Sequence, residues 1–120
     1  MSPSQATSYY RATAVPYESF APLQGRQHAR VAIIGGGFAG LNTALGLAER
    51  GVRDVVLLER EQIGFGASGR NGGFVFAGYS LGEQSLLDQL GEAHAQALFK
   101  LTTEAVQRIR QRITDYAIAC

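Results

Sequence analysis

The chain has 120 residues, 46% of them hydrophobic, and a formal net charge of +1. This length fits one domain or less, and the composition is that of a globular protein rather than a disordered one. Because the charge is near zero and no basic block occurs, the sequence argues against a nucleic-acid partner. No apolar run approaches the roughly 18 residues of a membrane span, and the chain does not open with a secretory signal pattern.

Cysteine and histidine usage argues against metal and disulfide chemistry. A single cysteine, Cys120, excludes an internal disulfide and a cysteine-rich metal site. No histidine has a partner at metal-ligand spacing, so no metal site is predicted. The cytoplasm is the expected compartment, since no targeting segment is recognised. The final residues, 116–120, are apolar and carry no helix stop signal, so we expect the protein to continue past Cys120.

Residues 1–29 are expected to form an irregular arm. All three prolines of the chain lie in this segment, and no hydrophobic period is sustained there. The segment holds more aromatic residues than a free tail needs. We expect their rings to pack on the body of the protein: Tyr9, Tyr10, Tyr17 and Phe20.

A glycine-rich turn between a strand and a helix is the central motif of the chain. The β-branched run at about residues 30–34 predicts a strand buried on both faces, and residues 38–50 predict a helix. The turn between them has the G-x-G-x-x-G spacing at Gly35, Gly37 and Gly40. In a dinucleotide site the first glycine makes the tight turn and the second lets the backbone approach a pyrophosphate. The third lets the helix pack closely on the strand.

The context of this motif favours a dinucleotide site. The helix N-terminus at Phe38 and Ala39 offers N–H groups and a positive dipole end to phosphates. A second apolar strand, at about residues 54–59, ends in Glu59, about 20 residues after Gly40, where an acid that holds the ribose hydroxyls is expected. The competing interpretation is an ordinary βαβ unit with a glycine turn and a surface glutamate.

A second glycine-rich segment, residues 64–73, follows the second strand, and we call it the second glycine loop. Five glycines within ten residues make regular structure unexpected. The loop mixes apolar residues with the hydroxyl of Ser68, the guanidinium of Arg70 and the amide of Asn71. We interpret it as a buried turn in which backbone N–H groups and Ser68 meet an anion, while glycine leaves room for a flat ring.

A short strand and two helices are predicted after this loop. Residues 74–79 could form the strand. The spacing of Ser80 and Glu83 is that of a capping box, which opens a helix that Gly91 interrupts. A longer helix follows at about residues 93–116, and its apolar stripe predicts a buried face: Ala97, Leu98, Leu101, Ala105, Ile109 and Ile113.

These motifs resemble those of a known family. The segments VAIIGGGFAGL, VVLLER and IGFGASGRNGG are similar to the N-terminal part of FAD-dependent amine and amino-acid oxidoreductases of the D-amino-acid oxidase superfamily. Within it the chain most resembles the γ-glutamylputrescine oxidase-like branch. The resemblance implies an α/β fold, a Rossmann-like βαβ dinucleotide-binding unit of an FAD-binding domain that is incomplete and followed by a helical segment. Residues 30–120 would be the N-terminal part of that domain, and residues 1–29 the arm.

The resemblance also implies FAD as the cofactor and a role for each matching residue. The glycines of the first turn, with Phe38 and Ala39, would cradle the pyrophosphate. Glu59 would hold the adenosine ribose, with Arg60 near the adenine end. A cation near the flavin would stabilise its anionic reduced form, and Arg70 is the candidate for it. The residues implied to line the pyrophosphate-to-flavin segment are Ala67, Ser68, Arg70, Asn71, Gly72 and Gly73.

The implied function is oxidation of a C–N bond in a small-molecule amine or amino acid, by hydride transfer to flavin N5. No catalytic acid or base can be assigned in this chain, and the 120 residues alone are expected to be inactive. Two alternatives stay open: a non-catalytic, truncated nucleotide-binding module and a piece of an NAD-dependent dehydrogenase. Glu59 suits NAD, but the second glycine loop has no purpose in that interpretation. Flavin absorbance of the complete protein distinguishes the oxidoreductase, which predicts it, from both alternatives.

Overall fold

The computed structural model describes residues 9–16 and 19–120. It divides the chain into two compact units, Met1–Gly72 and Gly73–Cys120. The first unit holds the two strands and the first glycine turn, and the second unit holds the longest helix.

The N-terminal arm contains a short helix, α1 (Tyr9–Thr13), so the prediction of an irregular arm was wrong for these residues. A helix is possible here because the prolines behind that prediction lie outside it. The Thr13 hydroxyl donates to the Tyr9 carbonyl, one turn back, at 3.0 Å. The aromatic rings were expected to pack on the body, but Tyr9 and Phe20 are 76% and 83% exposed. Tyr17 lies outside the described residues.

A βαβ element forms the centre of the first unit. Strands β1 (Val31–Ile34) and β2 (Val55–Leu58) pair in parallel, with Val31 opposite Val55. Helix α2 (Phe38–Glu49) connects them, since parallel strands need a crossover. The ends of the three elements lie within one residue of their predicted ends. The prediction of a βαβ unit is confirmed.

Strand β1 is buried on one face only, so the prediction of burial on both faces was wrong. Ile33 is 8% exposed, whereas its neighbour Ile34 is 80% exposed. Successive side chains of a strand point to opposite faces, and Ile33 lies on the face that α2 approaches, since its Cγ2 is the nearest side-chain atom to Gly40.

The second unit is dominated by helix α3 (Glu83–Asp115), which is broken at Gly91. There φ is 74° and ψ is 165°, a conformation that is essentially restricted to glycine. The predicted interruption is therefore confirmed. The predicted strand at residues 74–79 does not form. The predicted capping box was wrong as well, because the N-cap residue is Gly82, which has no side chain to bond the helix N-terminus.

The buried face of α3 differs from the predicted apolar stripe. Ala95, outside the stripe, is 7% exposed, whereas Leu101 and Ile109 of the stripe are 57% and 38% exposed. Among the helices of residues 9–16 and 19–120, neither α3 nor another is long and apolar enough to cross a membrane.

The segment that precedes α3 contacts the helix near Leu98 and Thr102. The Gly78 N–H donates to the Thr102 hydroxyl at 3.0 Å, and the Tyr79 hydroxyl donates to the Leu98 carbonyl at 3.3 Å. Residues 78 and 79 therefore lie against the Leu98–Thr102 side of the helix.

Candidate dinucleotide-binding site

The first glycine turn, residues 35–40, leaves β1 through Gly35. Its φ of 101° lies in the region that favours glycine. The Gly35 N–H donates to the Leu58 carbonyl at 2.7 Å, at the carboxyl end of β2. The turn therefore begins at the carboxyl edge of the parallel sheet, where open α/β folds bind their ligands.

Gly40 allows α2 to lie against this turn. A Cβ at Gly40 would overlap the Gly35 carbonyl oxygen, with Ile33 Cγ2 at 3.4 Å. A backbone carbonyl cannot swing aside as a flexible side chain can, so a larger residue would displace the turn. This is the close helix–strand packing that the third glycine of the motif predicts.

The N-terminus of α2 offers hydrogen-bond donors. Gly37 is the N-cap residue, and the first helical bond runs from Leu41 N–H to its carbonyl at 2.9 Å. Within residues 9–16 and 19–120, the N–H groups of Ala39 and Gly40 donate to no acceptor. Such donors, together with the positive end of the helix dipole, suit a phosphate group.

Ser68 of the second glycine loop reaches the same helix N-terminus. Its Oγ accepts a hydrogen bond from the Phe38 N–H at 3.0 Å. The absent side chain of Gly37 makes this approach possible, because a Cβ there would lie 2.9 Å from Ser68 Oγ. Since the oxygen accepts, the hydroxyl hydrogen stays available to donate to another group. The structure thus brings Ser68 to the glycines with which the sequence associated it.

The second glycine loop rests on the first turn through its backbone. The Gly64 N–H donates to the Gly36 carbonyl at 2.9 Å. A Cβ at Gly69 would overlap the Gly64 carbonyl oxygen, so the loop packs backbone against backbone. Glycine was predicted to leave room here for a flat ring, but the missing side chain of Gly69 makes room for the backbone of Gly64.

A 3-10 turn at Ala67–Gly69 carries Ser68, so the expectation of no regular structure in this loop was wrong at these residues. Asn71 stabilises the turn, because its Nδ2 donates to the Ser68 carbonyl at 2.8 Å and to the Ala67 carbonyl at 3.3 Å. Asn71 and Ala67, both predicted to be cofactor-binding, therefore have a structural part in holding Ser68.

Glu59, directly after β2, joins the strand end to the first turn. Its Oε2 accepts from the Gly36 N–H at 2.7 Å, and its Oε1 accepts from the Glu61 N–H at 3.0 Å. Hydrogen bonds from the backbone of Glu61 and then of Gly36 hold the pKa of the Glu59 carboxyl below its ordinary value. Each carboxylate oxygen has a further lone pair, so ionised Glu59 can still accept a ribose hydroxyl.

Gly36 is a site residue that the motif did not single out. A Cβ there would lie 2.5 Å from Ile63 Cδ1 and 3.2 Å from Glu59 Cβ. Its N–H binds Glu59 and its carbonyl binds Gly64, so this one residue links the acid to the second glycine loop. The available signal was that Gly36 is the middle one of three consecutive glycines, at a position where the motif accepts any residue.

The two predicted arginines contact neighbours other than the first turn. Arg60 Nε lies 3.4 Å from Glu61 Oε1, and its side chain is 89% exposed. Arg70 Nε donates to the Phe65 carbonyl at 3.1 Å, with its guanidinium carbon 5.2 Å from the centroid of that ring. The last two glycines of the loop, Gly72 and Gly73, are exposed. The predicted residues that meet around the N-terminus of α2 are Gly35, Gly37, Phe38, Ala39, Gly40, Glu59 and Ser68.

A family comparison identifies the kind of protein that carries this arrangement. The family model described as FAD dependent oxidoreductase, DAO, matches residues 30–120. The chain belongs to this family. Membership confirms the resemblance to the D-amino-acid oxidase superfamily, and with it the Rossmann-like fold and the FAD cofactor predicted from the sequence.

Curated relatives of this FAD dependent oxidoreductase chain match almost all of it. Gamma-glutamylputrescine oxidoreductase of Escherichia coli is 43% identical over 114 residues, 95% of this chain and 26% of that protein. Probable oxidoreductase OrdL of Haemophilus influenzae is 42% identical over 113 residues, 94% of this chain and 26% of that protein. The chain therefore spans about a quarter of the length of these relatives. No solved structure matches it.

Proposed function

We propose that this chain is the FAD-binding segment of an oxidoreductase that oxidises a C–N bond in a small-molecule amine or amino acid. The observation that carries the proposal is the 3.0 Å hydrogen bond from the Phe38 N–H to Ser68 Oγ. It brings the second glycine loop to the helix N-terminus, the place where Rossmann-like folds bind a pyrophosphate. The 43% identity to a protein named gamma-glutamylputrescine oxidoreductase supports an amine substrate.

The residues at the site suit FAD. A pyrophosphate needs donors and an absence of side chains, and the turn supplies the N–H groups of Ala39 and Gly40 beside glycines. The Ser68 hydroxyl adds a donor, because its bond with the Phe38 N–H uses the oxygen and leaves the hydroxyl hydrogen for the pyrophosphate. Glu59 follows β2, where an acid binds the ribose hydroxyls, and its lowered pKa keeps it ionised as an acceptor.

The chemistry that bound FAD would supply is acceptance of a hydride at flavin N5 from the carbon next to the substrate nitrogen. The part of this chain is to bind the cofactor and orient it, and no acid or base is assigned to the reaction. Arg60 would lie near the adenine end, and Arg70 would be the cation near the isoalloxazine. The residues proposed to follow the cofactor from pyrophosphate to flavin are Ala67, Ser68, Asn71, Gly72 and Gly73.

The experiment that tests the cofactor site uses the protein produced from the complete gene. We expect it to be purified with the visible absorbance of a flavin, and mass spectrometry of the released cofactor should identify FAD. Gly37→Val should abolish flavin binding, because the new side chain would fill the space that Ser68 Oγ and the pyrophosphate share. Gly82→Val is the matched control, since a Cβ at Gly82 meets no atom within 4 Å and its φ is −61°.

Two results would contradict the proposal. Retained yellow colour in Gly37→Val would place the cofactor elsewhere. Binding of a nicotinamide dinucleotide without any flavin would favour the dehydrogenase alternative. The reaction itself is tested by anaerobic reduction of the bound flavin with amines and amino acids, each supplied separately. A flavin that neither class of substrate reduces would favour a non-catalytic nucleotide-binding module.

A further inference from the structure

We propose that the N-terminal arm is a clamp on the second glycine loop, with Arg11 as the positioning residue that keeps Ser68 at the N-terminus of α2. This inference rests on the proposed FAD site and adds to it a segment outside the matched family range, residues 30–120.

A side-chain hydrogen bond joins helix α1 of the arm to a residue that precedes the second glycine loop. Arg11, on α1, donates from Nη2 to the side-chain oxygen of Gln62, a residue 51 positions later in the sequence. Arm and loop also line one cleft of about 560 Å³. Its walls include Tyr10, Ala14 and Pro16 from the arm, and Ile63, Phe65 and Arg70 from the loop side.

A short chain of hydrogen bonds connects Gln62 to the base of the turn that carries Ser68. The Phe65 N–H donates to the Gln62 carbonyl at 2.9 Å, which makes a turn at the entrance of the loop. The Phe65 carbonyl then accepts from Arg70 Nε at 3.1 Å. Arg70 N–H donates to the Ala67 carbonyl at 3.1 Å. Ser68 thus lies in a closed loop between Phe65 and Arg70. The first residue of that loop, Phe65, bonds to the backbone of Gln62, the residue whose side chain Arg11 contacts.

The contact suits a positioning role better than a role in overall stability. The hydrogen bond between Arg11 and Gln62 is exposed, and exposed polar pairs contribute little to the free energy of unfolding. The hydrogen bond from Phe38 N–H to Ser68 Oγ is 3.0 Å long, so a shift of the loop by less than about 1 Å would break it. We therefore expect loss of the contact between Arg11 and Gln62 to weaken FAD binding more than it lowers the free energy of unfolding.

Arg11 could instead act through its charge on an anionic cofactor, and the variants separate these two roles. Gln62→Ala removes the contact and leaves the Arg11 charge in place. Arg11→Ala removes both, and Arg11→Lys keeps the charge and a donor. Arg26→Ala is the matched control, because Arg26 is another exposed arginine of the same arm.

The test measures FAD affinity of the apoprotein, made from the complete gene, by titration of flavin fluorescence. We expect Arg11→Ala and Gln62→Ala each to raise the Kd about three- to tenfold, the effect of one typical net hydrogen bond. The double variant should be no weaker than either single variant, because both remove the same contact. Arg11→Lys should recover part of the affinity, Arg26→Ala should match the unaltered protein, and the apoprotein Tm should stay unchanged in all of them.

Several outcomes would overturn the proposal. An unchanged Kd in Arg11→Ala and Gln62→Ala would show that the arm does not position the loop. An effect in Arg11→Ala without one in Gln62→Ala would show that Arg11 acts through something other than its contact with Gln62. A parallel fall in apoprotein Tm would make the contact merely structural. If the unaltered protein fails to bind FAD, the proposed function falls and this inference falls with it, whereas FAD binding with an unchanged Kd refutes the inference alone.

Discussion

The packing of α2 against the first turn can be tested by one substitution at two positions of the same helix. Gly40 and Gly46 are both buried glycines inside α2. Replacement of either by alanine raises helix propensity by about 1 kcal/mol, because glycine loses more backbone freedom on folding. A comparison of Gly40→Ala with Gly46→Ala therefore isolates the effect on stability of the atoms that surround each new Cβ.

The atoms around the two positions predict a loss of stability for Gly40→Ala and little change for Gly46→Ala. At Gly40 the new Cβ would overlap the Gly35 carbonyl, which cannot move easily because the Gly35 N–H is bonded to Leu58 at 2.7 Å. Overpacking of this kind costs about 1–3 kcal/mol, which exceeds or cancels the gain in propensity. At Gly46 the nearest atom is Arg50 Nη1, at 3.1 Å, the end of a flexible side chain.

Movement of that side chain would cost at most its 2.7 Å hydrogen bond to the Gly46 carbonyl, about 0.5–1.5 kcal/mol. Gly46→Ala should therefore be close to neutral, and Gly40→Ala should be less stable than Gly46→Ala by about 1 kcal/mol, and by about 2.5 kcal/mol at most. Thermal unfolding of the two apoproteins measures this difference. FAD titration measures its consequence, since displacement of the Gly35 turn should weaken cofactor binding in Gly40→Ala only. Equal Tm and equal FAD affinity in the two variants would refute the reasoning.

Three further predictions concern other parts of the chain. Ser68→Ala removes the acceptor of the Phe38 N–H and a donor to the pyrophosphate, so it should weaken FAD binding about tenfold, whereas Ser80→Ala should not change it. Glu59→Gln should lower the Tm near neutral pH. Because the folded pKa of Glu59 is lowered, its contribution is present above the unfolded pKa of about 4.5 and is lost as the pH falls through the folded value. The Tm values of the two proteins should therefore converge on acidification, and a constant difference would contradict this. Gly91→Ala should lower the Tm through backbone strain of about 1–3 kcal/mol, in contrast to Gly82→Ala, where φ is −61°.

The βαβ unit was predictable because its signals are local. A β-branched run, a glycine turn and a helical segment follow one another, and Gly51, with a φ of 79°, comes directly after the helix, where glycine is common. The break at Gly91 was predictable for the same reason. Each of these features depends on the conformational preferences of a few adjacent residues, and such preferences can be read from the local sequence.

Burial was predicted less well, because it depends on neighbours that are distant in sequence. Ile34 is an apolar, β-branched residue of the kind that buried strands contain, but it is 80% exposed, since α2 covers the opposite face of the strand. Leu101 belongs to an apolar stripe and is 57% exposed, whereas Ala95, outside that stripe, is 7% exposed. Hydropathy predicts which side chains favour burial, and tertiary packing determines which of them are covered.

The sequence by itself determined the βαβ elements of this protein, the break at Gly91 and the glycine turn that makes a dinucleotide site possible. Only the tertiary structure joined the site together. Ser68 meets Phe38 across 30 residues, Glu59 meets Gly36 across 23, and Arg11 meets Gln62 across 51. No local preference encodes such contacts, because each needs loop closure and a backbone approach that become specific only when the strands have paired and α2 has packed on them.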